Sequence, residues 1–259
     1  TINYTVKDNL DPSPKVKAYL TDLEEGTAIQ VISGQAIEPL SIDDGFWTLT
    51  VEATDWVGNF SSSTTAKFEV IWDIQPPRSE ATVHSPKFIS DNETYMTSAT
   101  EISLSAVDDL IEIGDGKGLG VKETKYRIDT GDWQDYTMPF NIPQESSHTI
   151  TYYSSDIIGN TEQTKSLDVT VDNIPPTTEI SVSSPQYTSD GKLWVSSETA
   201  VSLSVIDGGI IPCGVKYTEY KVNDGGYFIY LSTFYLSTLP EGEHTIDYRS
   251  YDNLLNVEA

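Results

Sequence analysis

The sequence predicts an all-β protein, a series of tandem immunoglobulin-like β-sandwiches, and three observations support this prediction. The first is an internal repeat with a period of about one hundred residues, which is the size of one such sandwich. The second is the alternation of Thr, Val, Ile and Tyr with polar residues in runs separated by Gly, Asp, Asn and Pro, a pattern typical of strands. The third is that no segment holds a convincing helical period.

The repeat is recognised by aspartates that follow strands and by pairs of prolines. One strand of each repeat ends in an Asp-led turn, at Asp55, Asp156 and Asp252. An earlier strand also runs into an aspartate, at Asp8, Asp108 and Asp207. The proline pairs at 76–77 and 175–176 are 99 residues apart, as are Asp108 and Asp207, so the repeat is in register.

The repeat divides the chain into three predicted domains: repeat 1 (1–72), repeat 2 (73–172) and repeat 3 (173–259). Repeat 1 begins on the strand that is second in the other two, so we expect its first strand to be missing and the sequence to be an excerpt of a longer chain. No run of apolar residues is long enough to span a bilayer, which predicts no membrane insertion in this segment.

The predicted strand at 47–53 shows how the alternation indicates a sandwich. Apolar residues occupy every second position from Trp47 to Ala53, which places them on one buried face. The strands at 148–152 and 244–248 have the same alternation, and each reaches its aspartate after the same number of residues.

The histidines and the single cysteine are better explained by structure than by catalysis. His148 and His244 hold equivalent positions in their repeats, and His84 lies in a predicted first strand. No histidine is left for a Ser/His/Asp or Cys/His arrangement, so we expect no catalytic residue and no enzyme. Cys213 has no partner for an intrachain disulfide, and a loop position between Pro and Gly predicts a packed thiol.

The charge of the chain limits its partners. A formal net charge of −25 and a pI near 4.1 argue against nucleic acid and against an anionic membrane surface. The same acidity favours bound cations or a salty exterior, although a solvated, aggregation-resistant surface would explain it as well.

Repeat 3 has an order of motifs that resembles a known family. It contains a proline pair, a strand, Asp207-Gly208, Glu219-Tyr220, Asp224-Gly225-Gly226 and finally His244-Thr245. This order resembles the bacterial and archaeal Ig-like surface repeats of the OmpL type. Repeat 2 is similar to the same family with an insertion at 110–118, and repeat 1 looks more like related Ig-like modules of secreted proteins. The resemblance implies a surface-layer protein, an adhesin, a cell-wall protein or an accessory region of a secreted glycosidase, and it does not decide among them.

Repeated aspartates are expected to meet at the joints between domains. In an immunoglobulin-like sandwich the loops after the second and sixth strands lie at the end that also receives the incoming linker. We therefore expect Asp73 to meet Asp108, Asp109 and Asp156, and Asp172 to meet Asp207 and Asp252. The corresponding end of repeat 1 holds Asp8 and Asp55.

Several carboxylates brought together need a cation or must shift their pKa values. Calcium is the expected cofactor because it accepts six to eight oxygen ligands in flexible geometry, whereas zinc prefers His or Cys. The alternative is that each aspartate caps its own turn by accepting hydrogen bonds from backbone N–H groups.

Two further kinds of site follow from the sequence. Asn3, Asn59 and Asn92 lie in Asn-x-Ser/Thr sequons and are candidate glycosylation sites, with chance occurrence as the alternative. Trp133 and Tyr136 follow a predicted hairpin turn and could stack on sugar rings, or they could cover the edge of the sandwich.

The sequence as a whole favours a structural, non-catalytic segment of a secreted or cell-surface microbial protein, such as a surface-layer, filament or stalk component. Its expected partners are other copies of itself or neighbouring surface proteins, and its expected location is the extracellular space, cell surface or cell wall. A binding module remains the alternative, either an adhesin or a carbohydrate-binding accessory region of a secreted enzyme.

Overall fold

The computed structural model describes residues 1–38, 41–65, 67–108 and 116–259. Within these ranges the protein contains β-strands and turns and no helix, so the predicted all-β class is confirmed. Consistent with this, no helix of the described residues is able to cross a membrane.

The chain forms two compact units. Unit 1 contains Thr1–Pro76 together with Asp108–Gly120, and unit 2 contains Pro77–Val107 together with Val121–Ala259. The predicted division into three domains at 72 and 172 stays a prediction, and the candidate Asp109 lies outside the described residues.

Unit 1 contains one antiparallel sheet whose strands differ in length. Its strands are β1 (Lys15–Asp22), β2 (Ala28–Val31), β3 (Gly45–Thr54), β4 (Phe60–Thr64) and β5 (Phe68–Val70). The strands run in the order β2-β1-β3-β4, and β5 also pairs with β3. Trp47 is buried in the core, and Leu49 and Val51 pack against it, which confirms the predicted inward face of β3.

The segment 2–8, expected to form a strand, does not do so. Ile2 donates a backbone hydrogen bond to Gln35 and accepts one from Gly34, but no ladder develops beyond this point. The equivalent strands of the other repeats pair with a strand that precedes them. Among the described residues, segment 2–8 has no such neighbour, and without a ladder an extended segment is not a stable strand.

The first half of unit 2 is a two-sheet sandwich. Its strands are β6 (Arg78–Val83), β7 (Lys87–Ser90), β8 (Glu93–Met96), β9 (Ile102–Val107), β10 (Val121–Ile128), β11 (Gln134–Asp135), β12 (Ser147–Asp156) and β13 (Lys165–Val171). One sheet is the pair β6-β9, and the other has the order β11-β10-β12-β13-β8-β7. Buried side chains from both sheets form one core, which includes Ile102 of β9, Ile150 of β12 and Val169 of β13.

The second half of unit 2 repeats the strands β6 to β12 and contains one additional short strand, β20. They are β14 (Thr177–Val182), β15 (Gln186–Ser189), β16 (Lys192–Val195), β17 (Ala200–Ile206), β18 (Val215–Val222), β19 (Phe228–Ile229), β20 (Phe234–Tyr235) and β21 (Ile246–Asp252). They form sheets in the orders β14-β17-β20, β19-β18-β21 and β15-β16. The strands predicted to run into Asp108 and Asp207 are β9 and β17, and those ending in Asp156 and Asp252 are β12 and β21.

A glutamate in each half of unit 2 ties the two sheets of its sandwich together. Glu162 accepts hydrogen bonds from the backbone N–H of Ser79 in β6, at 3.2 Å, and of Ser154 in β12, at 2.8 Å. In repeat 3, Glu258 accepts the equivalent bonds from Thr178 and Ser250.

Candidate metal centre

Three carboxylates and one thiol converge at the start of repeat 3. One ligand atom each of Asp172, Asp207, Cys213 and Asp252 lies within 4.8 Å of every other. Asp172 follows β13, Asp207 follows β17, Cys213 precedes β18, and Asp252 ends β21. All but Asp207, which is half-buried, are buried. The structure therefore confirms the prediction that Asp172 lies close to Asp207 and Asp252.

Two of the three carboxylates also cap turns, as the alternative interpretation expects. Asp252 Oδ1 accepts hydrogen bonds from the backbone N–H groups of Leu254 and Asn256, both at 2.8 Å, and Oδ2 accepts one from Asn256 Nδ2 at 2.6 Å. Asp172 Oδ1 accepts from the N–H of Ile174 at 3.1 Å, and Oδ2 from the N–H of Cys213 at 2.7 Å. Capping leaves lone pairs on these oxygens, so it does not prevent them from binding a cation as well.

Asp207 is different because one of its oxygens lacks a donor. Its Oδ2 accepts a hydrogen bond from the backbone N–H of Gly214 at 2.6 Å. Its Oδ1 is buried and makes no hydrogen bond of ordinary geometry among the described residues, although the N–H of Gly208 also lowers the pKa of Asp207. A buried carboxylate oxygen without a donor is destabilising, and either a proton or a cation at this position would relieve it.

Burial and mutual repulsion change the pKa values of this cluster. Desolvation raises the pKa of Asp207 to about 6, and the nearby charges of Asp172 and Asp252 add to the shift. Desolvation also raises the pKa of Asp252, against the hydrogen bonds from Asn256. A metal-free cluster therefore holds a proton more readily than an ordinary aspartate does.

Asp55 lies in the same kind of turn as Asp252, but among the described residues it belongs to no cluster of carboxylates, and its pKa shifts in the other direction. Its Oδ1 accepts from the N–H groups of Val57 and Asn59, and its Oδ2 from Asn59 Nδ2. Desolvation is the largest single effect and raises its pKa, but the hydrogen bonds from Asn59 and its neighbours outweigh desolvation, and the pKa is lowered.

Cys213 was not predicted to belong to this cluster. Its backbone N–H binds Asp172, and the adjacent Gly214 N–H binds Asp207. Burial, followed by the hydrogen bond to Asp172, raises the pKa of its thiol above the ordinary value, so the thiol stays protonated. The sequence signal that could have found it is the dipeptide Cys213-Gly214 before β18, which matches Leu119-Gly120 before β10.

Within unit 1, two aspartates make the same backbone hydrogen bonds as their counterparts in repeat 3. Asp73 Oδ2 accepts from the N–H of Leu119 at 3.0 Å, and Asp108 Oδ2 accepts from the N–H of Gly120 at 2.6 Å. Leu119 thus holds the place of Cys213. A leucine side chain offers no ligand atom, which argues that the sulfur of Cys213 is not a required ligand.

The remaining candidates cap turns. Asp156, in unit 2, accepts hydrogen bonds at Oδ1 from the N–H groups of residues 158–160 and at Oδ2 from Asn160 Nδ2. Asp8 accepts from the N–H groups of Leu10 and Asp11, both at 2.7 Å. Among the described residues, neither Asp8 nor Asp55 belongs to a group of three or more potential metal ligands.

The ligand set of repeat 3 fits a hard divalent cation. Three carboxylates offer oxygens, and Asp207 Oδ1 is a buried acceptor that a cation would satisfy. Calcium takes oxygen ligands in flexible geometry and can complete its shell with carbonyls and water. Zinc fits poorly, because the only soft ligand is a protonated thiol at a position that accepts leucine elsewhere.

The candidate sugar-binding aromatics make extensive contacts inside the protein. The predicted hairpin is present, with β10 pairing β11. Trp133 is 39% exposed, but the Arg127 guanidinium lies 4.8 Å from its ring centroid and Tyr153 packs against its edge. Tyr136 is half-buried against the core, beside Tyr126. These contacts are those expected if the aromatics cover the sandwich.

The three sequon asparagines, Asn3, Asn59 and Asn92, are all exposed. Asn59 differs from the others because its Nδ2, the atom that would carry a glycan, donates to Asp55 Oδ2 at 2.7 Å. Glycosylation at Asn59 would therefore disturb the cap of its turn.

The histidines have structural partners. His148 Nδ1 lies 2.8 Å from Asp129 Oδ2, and its Nε2 lies 3.1 Å from the carbonyl oxygen of Gln144. His244 makes the corresponding contacts with Asn223 and with the carbonyl of Pro240. Both ring nitrogens are engaged in each case, which fits the predicted structural position.

Comparisons with known proteins find similar solved structures but no family. No family model and no curated protein matches the sequence. Among solved structures, the chain is similar to a tetra-tandem repeat from the extending region of a large adhesion protein, with 16% identity, a TM-score of 0.28, and coverage of 96% of this chain and 66% of that one. It is also similar to the fibronectin(III)-like modules of Clostridium thermocellum CbhA, with 13% identity, a TM-score of 0.28, and coverage of 64% and 82%.

A third similar structure is SGBP-B of the Bacteroides ovatus mixed-linkage glucan utilization locus, in complex with a mixed-linkage heptasaccharide. It is 13% identical, with a TM-score of 0.16 and coverage of 89% of this chain and 83% of that one. The chain thus spans 66% of the length of the adhesion-protein repeat. Likenesses at this level carry no argument. The chain is an all-β protein that contains a two-sheet sandwich, and its resemblance to the Ig-like repeats of the OmpL type stays a prediction.

Proposed function

We propose that the chain is a structural, non-catalytic segment of a secreted or cell-surface microbial protein, such as a surface-layer, filament or stalk component, and that calcium stiffens the joint between repeats 2 and 3. One observation carries the proposal. A carboxylate from the linker, Asp172, and two from strand ends, Asp207 and Asp252, converge, and Asp207 contributes a buried oxygen that makes no hydrogen bond among the described residues.

The residues of the joint already restrict its motion. Pro175 and Pro176 fix φ and favour extended backbone before them. Asn256 Nδ2 donates to the carbonyl of Asp172 at 3.0 Å, which binds the linker to the turn after β21. A β-carbon at Gly209 would come within 2.8 Å of Glu145 Oε1, so the loop after β17 lies close against repeat 2.

When bound, calcium would supply a positive charge shared by the linker and the two strand ends. Asp172 would then hold the linker to repeat 3 through the ion as well as through its backbone contacts. The carboxylates would no longer need a proton to coexist, and their repulsion would become attraction to a common ion.

The structural role is favoured over the glycan-binding alternative by the aromatic contacts. Tyr136 is packed against the core, and the Trp133 ring lies against Arg127 and Tyr153. A platform for sugar stacking needs an open ring face. A secreted or surface location, with copies of the same chain or neighbouring surface proteins as partners, agrees with the strongly acidic composition.

The test is calorimetric titration of the chelator-treated chain with calcium, followed by thermal melts with and without the ion. We expect stoichiometric binding and a raised Tm in the wild type, and loss of both in Asp207→Asn. Asp55→Asn is the control, because Asp55 caps its turn as Asp252 does but, among the described residues, belongs to no group of potential metal ligands, and it should keep the calcium response. No heat and no change in Tm in the wild type would restrict the aspartates to turn capping.

A further inference from the structure

Repeats 2 and 3 share a pair of stacked aromatic rings at the edge of the sandwich where β11 and β19 lie. In repeat 3, Tyr220 stacks on Phe234, with 4.2 Å between the ring centroids and 13° between the ring planes. In repeat 2, Tyr126 stacks on Phe140 at 4.1 Å and 14°. In both repeats the short edge strand pairs antiparallel with its neighbour, β11 with β10 and β19 with β18. The two edges therefore have a common framework, on which their exposed side chains can be compared directly.

On this framework, repeat 3 exposes apolar side chains where repeat 2 has polar ones. We define the repeat 3 edge patch as four apolar residues, each more than half exposed: Phe228, Ile229, Leu231 and Tyr235. The residues at the equivalent places of repeat 2 are, in the same order, Gln134, Asp135, Thr137 and Asn141. In the other direction, repeat 2 exposes Met138 where repeat 3 has Ser232. Neighbouring apolar side chains that are exposed together mark an interaction surface on a soluble protein.

The distribution of charge restricts what can bind this patch. Residues 225–240 contain no charged side chain, whereas the whole chain is 21% charged and has a net charge of −25. A basic partner would find no carboxylate in this stretch, and the acidity of the chain repels an anionic membrane. A sugar needs hydrogen-bonding groups beside a ring, and the side chains of Ile229 and Leu231 offer none. The surface that matches the patch is therefore itself apolar and uncharged.

The backbone at β19 favours another strand as the partner. Among the described residues, β19 is the last strand of the sheet β19-β18-β21. Tyr230 N–H donates to the carbonyl of Thr218 in β18 at 2.8 Å. The hydrogen-bonding groups of successive residues in a strand point to opposite edges, so the N–H and C=O of Ile229 point away from β18. An antiparallel strand would satisfy both groups at once, because the two residues of a hydrogen-bonded pair exchange both bonds.

We propose that two copies of the chain associate through the repeat 3 edge patch, with their β19 strands antiparallel across a twofold axis and Ile229 of one copy opposite Ile229 of the other. A second copy supplies both an open strand edge and an uncharged apolar surface, because a twofold contact uses the same surface on each copy. One hydrogen-bonded pair satisfies the outward groups of both Ile229 residues, so a strand of two residues is long enough.

Repeat 2 does not compete for this contact. Its residue at the place of Ile229 is Asp135, and a twofold pairing would set two carboxylates opposite each other. Two copies repel one another over most of their acidic surface, and the repeat 3 edge patch is where they approach with the least repulsion. The contact deepens the proposed structural role, on which it rests, by naming the surface that joins copies of the chain.

The test is sedimentation equilibrium of the whole chain in chelator, from about 1 µM to about 200 µM, a range that brackets the affinity of a small transient interface. We expect the average mass to rise from the 28.6 kDa of one chain toward twice that value. Ile229→Asp, which installs the residue that repeat 2 has at this place, should weaken dimerisation at least about tenfold. Leu193→Asp is the matched control, because Leu193 is 47% exposed on another strand of repeat 3 and Ile229 is 51% exposed. This control should dimerise as the wild type does.

Disulfide trapping tests the twofold arrangement. The Cα atoms of a hydrogen-bonded antiparallel pair lie about 5.5 Å apart, within the range that a disulfide spans. Under mild oxidation Ile229→Cys should form a covalent dimer, and Leu193→Cys should not. The native Cys213 is buried, so it should not contribute to cross-linking.

Three results would overturn the proposal. They are a wild type that stays monomeric at every concentration, a dimer that Ile229→Asp does not weaken, and equal cross-linking of the two cysteine variants. Glycan-array binding by a monomeric wild type, lost in Phe228→Ala, would assign the patch to a sugar instead. The calcium titration reports on a different cluster, so failure of the dimer and failure of the calcium site are distinguishable.

Discussion

Two aspartates at the same point of the repeat have pKa shifts in opposite directions, because their neighbours differ. Asp55 and Asp252 both cap their turns with an Asn side chain and backbone N–H groups. Hydrogen bonds lower the pKa of the isolated Asp55, despite desolvation. Burial raises the pKa of Asp252, and the charge of Asp172 adds to the shift. A turn motif therefore predicts the hydrogen bonds of its aspartate but not the charge state, which depends on residues distant in sequence.

Asp207→Asn should stabilise the metal-free protein at neutral pH. An amide can keep the bond from Gly214 N–H through its oxygen and present its NH2 to the neighbouring carboxylates, which removes one repelling charge. We expect a gain of about 1 kcal/mol, well below the full value of a two-unit pKa shift because Asp207 is partly solvated. The measurement is the Tm of both proteins in chelator at pH 7.

The size of this effect should depend on pH. The folded pKa of Asp207, about 6, lies above the ordinary value of 3.8. The folded state therefore binds more protons between these values, and the wild type loses stability as pH rises through this window. The advantage of Asp207→Asn should be small at pH 4 and complete above pH 6. An advantage that is unchanged between pH 4 and pH 7 would show that charge repulsion is not its origin.

Glu162 should contribute to stability with the opposite pH dependence. Its side chain is 7% exposed and accepts hydrogen bonds from Ser79, Ser154 and Lys165. Desolvation raises its pKa, but the bonds from Lys165 and Ser79 outweigh desolvation and lower the pKa below the ordinary 4.5. Its stabilisation is therefore present above pH 4.5 and is lost as pH falls through the lowered pKa.

Glu162→Gln should destabilise repeat 2 by about 2 kcal/mol at pH 7, because the amide NH2 would face a backbone N–H and the Lys165 ammonium. Glu101→Gln is the matched control, since Glu101 is exposed in the same repeat. Urea unfolding at pH 7 and pH 3 measures the difference. Equal losses at both pH values would mean that the carboxylate charge does not matter.

At the level of elements, the presence of one strand determines how far a sandwich core is shielded from solvent. Ile150 in β12 is covered by β13, whereas Ile246 in β21 has no such cover among the described residues. The two sandwiches share most of their strands, although β20 of repeat 3 is matched in repeat 2 only by the bridge between Ile102 and Phe140.

Truncating these two isoleucines should therefore have unequal effects. Ile150→Ala should cost about 3 kcal/mol, because it removes fully buried methyl groups and leaves a cavity. Ile246→Ala should cost about 1 kcal/mol, because its side chain is already partly hydrated. Native-state hydrogen exchange of the β12 and β21 amides gives each local free energy of opening. Equal costs would mean that β21 is sealed in solution by something else.

The sequence contained the strands and the aspartates but not the contacts that combine them. Alternation and repeat spacing predicted β3, β12 and β21, and the meeting of Asp172 with Asp207 and Asp252. The segment 2–8 was wrongly expected to be a strand, because alternation cannot supply the ladder partner that a strand needs. Cys213 and Glu162 were missed because their partners, such as Asp172 and Ser79, are 41 and 83 residues away. Such contacts depend on tertiary packing, and only comparison between repeats hints at them.

For the whole molecule, a net charge of −25 means that carboxylates repel one another across the surface as well as at the candidate metal centre. This repulsion is long-ranged at low salt and screened within a Debye length of about 10 Å at 0.1 M ionic strength. We expect the Tm to rise when sodium chloride increases from about 10 mM to about 300 mM, because screening relieves the folded state more than the expanded chain.

Calcium should raise the Tm further than sodium chloride of equal ionic strength. An ion that binds the folded state stabilises it by mass action, in addition to screening its charges. The Tm in calcium and in sodium chloride should be measured by differential scanning calorimetry for the wild type and for Asp207→Asn. The variant should keep the sodium effect, which arises from charges over the whole surface, and lose the additional calcium effect, which arises from one cluster. If calcium and sodium give the same Tm in the wild type at matched ionic strength, the acidity of the chain serves solvation alone, and the joint between repeats 2 and 3 is held by Asn256, the prolines and the capped turns without an ion.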